Sequence, residues 1–164
     1  MRGALGQLVK KKDLIGAEIG VLVGGHAQEM LDNLDIKKLY LIDPYSRYWA
    51  SDRIVSRKEM LPTKKEAKER LAKYKDKIVW LIKTSAEASK DLEDNSLDFV
   101  YIDACHRYRF AFQDISLWTP KVKTGGLVGG HDWTTQTVRE AIEDYCWDNK
   151  IKFEQDGSDW WFWK

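Results

Sequence analysis

The sequence predicts a doubly wound α/β fold, a mostly parallel sheet ending in an antiparallel hairpin. Three observations carry this. Short, apolar runs at residues 17–23, 39–42, 78–82, 99–102 and 127–128 have the character of strands covered on both faces. Helical patterns lie between and after them, at 27–34, 64–74, 86–92, 107–118 and 135–147, and such alternation implies right-handed crossovers and a parallel sheet. The final runs, 151–154 and 160–163, are joined only by Gln155-Asp156-Gly157-Ser158-Asp159, a polar, glycine-containing link that suits a hairpin.

Taken in order, the first strand runs straight into a glycine turn, Glu18-Ile19-Gly20-Val21-Leu22-Val23-Gly24-Gly25. Glycines there permit a tight strand-to-helix turn and let a ligand lie against bare backbone. His26, opening the first helix, reads as a surface or capping residue. The second strand ends with Asp43 at its tip, and residues 44–62 form the longest expected loop, carrying Tyr45, Tyr48 and Trp49. Lys and Glu mix along 64–77, as on a solvated helix face. Thr84-Ser85-Ala86-Glu87 follow the third strand, with Ser85 either capping the next helix or facing a base. In the last helix Val138, Ala141, Ile142, Tyr145 and Cys146 form one apolar stripe, with Thr134 or Thr135 as its cap. Alternation along Trp160-Trp161-Phe162-Trp163 sends these side chains to both sheet faces, where covering helices account for them; an exposed remainder would point to a dimer interface.

With 164 residues, 43% hydrophobic and 32% charged, the chain has the composition of one globular domain spanning 1–164. Its net charge of +1 gives no bulk attraction to nucleic acid or anionic membrane. No apolar run is long enough to span a bilayer and no signal peptide opens the chain. Eight Trp point to an aromatic-rich core, pocket or interface. Cys105 and Cys146 lack metal-finger or CxxC spacing. Cys105 reads as a small buried thiol rather than a nucleophile, and this cysteine usage suits the cytoplasm.

Two strands end in groups that bind metals or move protons: Asp103 and His106 after 99–102, His131 and Asp132 after 127–128. In an open parallel sheet ligands bind beyond the carboxyl ends of the strands, so both clusters belong to one crevice. Asp43 lies about twenty residues beyond the glycine turn, the spacing that suits a nucleoside whose ribose hydroxyls meet a carboxylate. Leu22 stands where a dinucleotide-binding turn keeps its middle glycine, which argues for a cofactor without phosphates. Each residue has a plainer role available: Asp103 and His131-Asp132 as turn or helix caps, His106 as a loop residue bonded to backbone.

AEIGVLVGG, LYLIDPY, TSAEAS, DFVYIDACHRY and WTPKVKTGGLVGGHDW together resemble the class I S-adenosylmethionine-dependent methyltransferases, closest to the methyltransferase-24 type related to sugar and antibiotic O-methyltransferases. The likeness runs from Gly16 onward. It implies a Rossmann-like, seven-stranded sheet with a C-terminal antiparallel hairpin. Glu18, Gly20, Gly24 and Gly25 would cradle the methionine part of S-adenosylmethionine, Asp43 would bind its ribose, and Ser85 and Ala86 would lie near the adenine, with Asp103 also at the cofactor. In metal-dependent relatives acids after the fourth and fifth strands hold a divalent cation, and Asp103 and Asp132 occupy those places. His131 stands where relatives have a second oxygen ligand, and imidazole suits Mg²⁺ poorly. Many relatives carry helices before the first strand that cover the acceptor pocket; here only 1–15 precede it, an arrangement for an open pocket or one completed by a second subunit of a homodimer.

Methyl transfer is an in-line displacement in which positioning supplies much of the rate, and the acceptor must also lose a proton. His106 is the expected general base, with His131 as second candidate. The expected acceptor is a hydroxyl on a small molecule or glycan, because no Asn-Pro-Pro-Tyr type segment follows the fourth strand. The rivals are a non-catalytic S-adenosylmethionine-binding or assembly protein and a nucleotide-fold oxidoreductase.

Overall fold

The computed structural model describes residues 3–49 and 54–164. Its principal sheet has seven strands: β1 (Leu14–Ile19), β2 (Ile36–Ile42), β5 (Ile78–Leu81), β6 (Leu97–Ile102), β7 (Val122–Gly130), β8 (Glu154–Asp156) and β9 (Asp159–Trp163). They lie in the order β5-β2-β1-β6-β7-β9-β8. The first five run parallel; β9 is antiparallel to both β7 and β8, closing the sheet as the expected hairpin. Four helices connect the strands, α2 (Gly25–Asn33), α3 (Arg57–Arg70), α5 (Tyr108–Trp118) and α6 (Gln136–Asp148), with the short α4 (Ser85–Ala88) crossing from β5 towards β6. The order reverses beside β1, so the crevice opens over the ends of β1, β2 and β6.

The sheet separates two cores. On one face Trp118, Trp160 and Phe162 pack with residues of α5 and α6; on the other Phe99, Tyr101 and Trp161 pack with residues of α2. The aromatic run of β9 is thus divided by the pleat between both layers, as its alternation requires. Trp163 remains 41% exposed. Leu5 and Leu8, in and after the short helix α1 (Gly3–Gly6), join the second core, and Ala4 N–H donates to Asp159 Oδ2 at 3.2 Å. Among the described residues no helix is long and apolar enough to cross a membrane.

Several boundaries differ from expectation. β1 ends at Ile19 rather than at 23, because Gly20 turns the chain at φ 90° and Val21 folds beneath the loop. β7 begins at Val122, well before residue 127. Residues 44–62 are not one loop: β3 (Tyr48–Trp49) and β4 (Ile54–Val55) form a small antiparallel pair, and α3 starts at Arg57. Residues 50–53 of that expected loop lie outside the described residues. A capping box, with Ser56 and Glu59 satisfying each other's backbone N–H groups, starts α3 early enough that Pro62 falls inside the helix. On the solvated face of α3, Glu66 pairs with Arg70 and Glu69 with Lys65. Thr135 flanks α6 without a side-chain capping bond.

Candidate functional site

The turn after β1 is built by residues from three strands. Gly20 N–H donates to the Ile42 carbonyl of β2, and Asp103 N–H donates to the Ile19 carbonyl, at 2.9 and 2.8 Å. Gly24, at φ 74°, is the N-cap of α2, and Gly25 is its first residue. Asp43, 8% exposed, accepts backbone N–H groups from Val21 (3.1 Å) and Leu22 (3.0 Å) on Oδ2 and from Tyr45 (2.8 Å) on Oδ1. The acid tip of β2 therefore organises the glycine turn across the crevice floor, with one lone pair left on Oδ1 for a further donor.

Glu18 is 1% exposed, and its Oε1 lies 2.9 Å from His26 Nδ1. His26 is not the surface residue expected of it: its side chain is 8% exposed and its ring lies 4.2 Å from that of Tyr101. The pair ties β1 to the first turn of α2 beneath the loop, so Glu18 shapes the loop from below rather than presenting its carboxylate in the open crevice.

On the opposite side of β1, Ser85 and Ala86 open α4. The cap of this helix is Thr84, in a second capping box with Glu87, so Ser85 is not the capping residue. Ser85 Oγ instead accepts a hydrogen bond from Trp118 Nε1 at 2.8 Å. Beside it lies Asp114, 5% exposed on α5. Burial drives its pKa up from 3.8 to about 6, and the Ser85 hydrogen bond only partly offsets this. A raised pKa on an acid means that the folded state binds the proton more tightly, so the cost of ionising Asp114 is absent below about pH 4 and complete near neutrality. Asp114→Asn is expected to stabilise the protein by up to about 3 kcal/mol at pH 7 and to lose that advantage towards pH 4. Denaturant unfolding at both pH values checks this; an advantage unchanged with pH contradicts it.

The ends of β6 and β7 meet at Asp103, His106, His131 and Asp132. His131 N–H donates to the Ile102 carbonyl, and the His131 carbonyl accepts from Trp160 Nε1, so the two strand ends are fixed side by side. Asp132, at φ 63°, lies between two imidazoles: Oδ2 is 2.8 Å from His106 Nε2 and Oδ1 is 3.3 Å from His131 Nδ1. The hydrogen bond with Asp132 raises the His106 pKa against the opposing effect of burial, and the charges of Asp132 and Asp103 add to it. For Asp132 burial opposes ionisation, but His106 and then His131 outweigh it and hold the carboxyl below its usual range. Beneath them is a cavity of about 20 Å³, lined by Asp103, Cys105, His131 and Trp160 among others and large enough for one water-sized group. Cys105 is half-buried and only Cys146 fully buried.

The structure thus brings Asp103, His106, His131 and Asp132 into one cluster and Gly20, Leu22 and Asp43 into another, with the two joined at the Asp103–Ile19 backbone contact. The sequence reading missed His26, Tyr45, Asp114 and Thr84. Thr84 was detectable from the Thr-x-x-Glu capping pattern. The other three owe their roles to partners on other elements, for which no local pattern exists.

A family model described as a methyltransferase domain matches residues 15–133. An uncharacterized protein of Acanthamoeba polyphaga mimivirus is 24% identical over 148 residues, covering 90% of this chain, and the chain spans 60% of that protein's length. Solved structures share the fold at low identity. The O-methyltransferase NovP superposes with a TM-score of 0.68 at 17% identity, over 98% of this chain and 74% of its own. Precorrin-6y C5,15-methyltransferase from Geobacter metallireducens gives 0.70 at 16%, over 98% and 86%. An rRNA methylase from Streptococcus thermophilus gives 0.64 at 11%, over 96% and 88%. With residues 15–133, well over half of its length, matched by the family model, the chain belongs to the methyltransferase-24 family of class I S-adenosylmethionine-dependent methyltransferases.

Proposed function

We propose that residues 1–164 act as one domain that transfers a methyl group from S-adenosylmethionine to a hydroxyl of a small molecule or glycan. The observation that carries this reading is the 2.8 Å contact between His106 and Asp132 at the crevice, where β6 and β7 end. A hydroxyl is a poor nucleophile until its proton is taken, and an imidazole backed by a carboxylate is built to take it. The contact assigns the Nε2 proton to the bond with Asp132, which leaves Nδ1 as the basic nitrogen. S-adenosylmethionine, when bound, supplies the methyl group on a sulfonium. The chain's residues do the rest: the turn from Gly20 to Gly25 cradles the methionine part, Asp43 holds the ribose, Ser85 and Ala86 flank the base, and His106 accepts the proton as the new C–O bond forms. The oxidoreductase reading loses ground at Leu22, a side chain where a dinucleotide-binding turn keeps its middle glycine. NovP is by name an O-methyltransferase and the precorrin enzyme a C5,15-methyltransferase; the His106–Asp132 pair favours the first kind of chemistry here.

A second reading rests on one further observation. Asp103, His131 and Asp132 each offer an atom within 4.8 Å of the others. Two carboxylates and an imidazole fit a borderline divalent ion better than Mg²⁺. Such an ion would supply positive charge that acidifies a hydroxyl. Methyl transfer assayed after extensive chelation separates the readings. Turnover that survives chelation and Asp103→Ala removes the cation; turnover lost on chelation and restored by Mn²⁺ or Zn²⁺ establishes it.

A further inference from the structure

His106 follows β6, yet the side chains that hold it belong to the segment after β7. Three side chains of that segment reach across to residues 106–108. Asp132 Oδ2 lies 2.8 Å from the His106 ring at Nε2, and the Thr137 hydroxyl donates to the His106 carbonyl at 2.5 Å. The third is Asp144, whose Oδ2 accepts from the Tyr108 hydroxyl at 2.7 Å. The Tyr108 ring stacks on Phe112, and Phe112 meets Tyr145 of α6 edge-on. The start of α6 thus splints the start of α5. Thr137 is the second residue of α6, and its neighbour Val138, 6% exposed, packs in the core and lines the cavity beneath the cluster. The hydroxyl is therefore carried on a fixed turn of helix. Helical threonines ordinarily return their hydroxyl to a carbonyl four residues back, as Thr63 does with Glu59 and Thr119 with Ile115. Thr137 crosses to another element instead. Arg107, the N-cap of α5, makes no side-chain capping bond, so the α5 start is set by these contacts from α6.

We propose that Thr137 is a positioning residue for His106: its hydroxyl grips the backbone of the base while Asp132 grips the ring. This rests on the base assignment above and adds to it the group that sets the base in place. The Asp132 contact alone leaves the ring free to pivot with its loop, and at 46% exposure little packing restrains it. Held at ring and carbonyl by one segment, the imidazole keeps a single orientation, with Nδ1 turned to the acceptor. A reacting group has to be held within about 0.5 Å of its productive place, which is the service a support of this kind performs.

The test reads the imidazole itself and needs no methyl acceptor. On the full chain, at one pH and in chelated buffer, NMR follows solvent exchange of the His106 Nε2–H proton. The Trp160 Nε1–H proton is the control, since it donates to the His131 carbonyl in the same cluster but not through Thr137. Thr137→Val keeps the size and removes the donor. It is expected to speed exchange at His106 roughly fivefold, the equilibrium worth of one hydrogen bond, and to leave Trp160 within about twofold. Thr137→Ser restores the hydroxyl and should return His106 to within about twofold of the unaltered protein. Thermal unfolding checks that each variant is folded. Equal acceleration at His106 and Trp160 would make Thr137 a support of the fold and overturn the proposal. An unmoved His106 signal in Thr137→Val, or Thr137→Ser behaving like Thr137→Val, would overturn it as well. Failure of the base assignment shows separately, as turnover retained in His106→Ala, whatever the exchange rates.

Discussion

His106→Ala is expected to lower the turnover number by about 10²- to 10⁴-fold while leaving S-adenosylmethionine affinity within about twofold of the unaltered protein. The reason is geometric. The imidazole touches Asp132, not the glycine turn, and lies among the residues after β6 and β7 rather than among those proposed to hold the nucleoside. Removing it should leave the fold intact, because its side chain is 46% exposed. Single-turnover rates and calorimetric titration on the same preparation read the two quantities separately. Retained turnover would remove the base assignment. Lost turnover together with lost cofactor affinity would place His106 in binding rather than in chemistry.

The second large effect is expected at Gly20. A Cβ at this position would lie 2.0 Å from the Asp103 carbonyl oxygen and 2.7 Å from its carbon, and the residue sits at φ 90°. Neither obstacle is a flexible side chain, so β1 and β6 would have to move apart at the crevice floor. Gly20→Ala is expected to destabilise by roughly 3–5 kcal/mol, the sum of left-handed strain and a backbone clash, and to lower the melting temperature by roughly 10–20 °C. Denaturant unfolding measures this directly. A loss under about 1 kcal/mol would show that the close approach of Gly20 to Asp103 is relaxed in solution. That approach is also where the glycine turn meets the His106 cluster, so an intact but loosened variant should lose turnover as well.

The order of strands and helices was legible because parallel strands covered on both faces must be short and apolar, and because a short polar, glycine-containing link leaves β8 and β9 no geometry but a hairpin; the strand expected at 151–154 lies instead at Glu154–Asp156, so only Gly157 and Ser158 form the turn. The polar cluster was legible for the same reason: Asp103, His106, His131 and Asp132 directly follow two such strands. Boundaries were less so. Val21, Leu22 and Val23 look like a continued strand, and only the backbone contact at Gly20 shows why the strand must stop. Pro62 reads as a loop residue until the Ser56–Glu59 capping box is seen to start the helix ahead of it. Side-chain partnerships across elements were not legible at all. Nothing near His26 announces Glu18, nothing near Tyr45 announces the Leu22 carbonyl, and a polar residue on a helix such as Asp114 reads as solvated until the packing of α4 against α5 buries it.

The central claim is that the turn after β1 and Asp43 hold S-adenosylmethionine. Calorimetric titration of the unaltered protein with S-adenosylmethionine and S-adenosylhomocysteine, beside NADH and with Asp43→Ala as control, tests it most directly. Micromolar binding of both sulfur nucleosides, none of NADH, and loss of binding in the Asp43 variant is the expected result. Failure of both sulfur nucleosides to bind would contradict the claim and bring the non-catalytic reading forward, and binding undisturbed by Asp43→Ala would contradict the part assigned to Asp43.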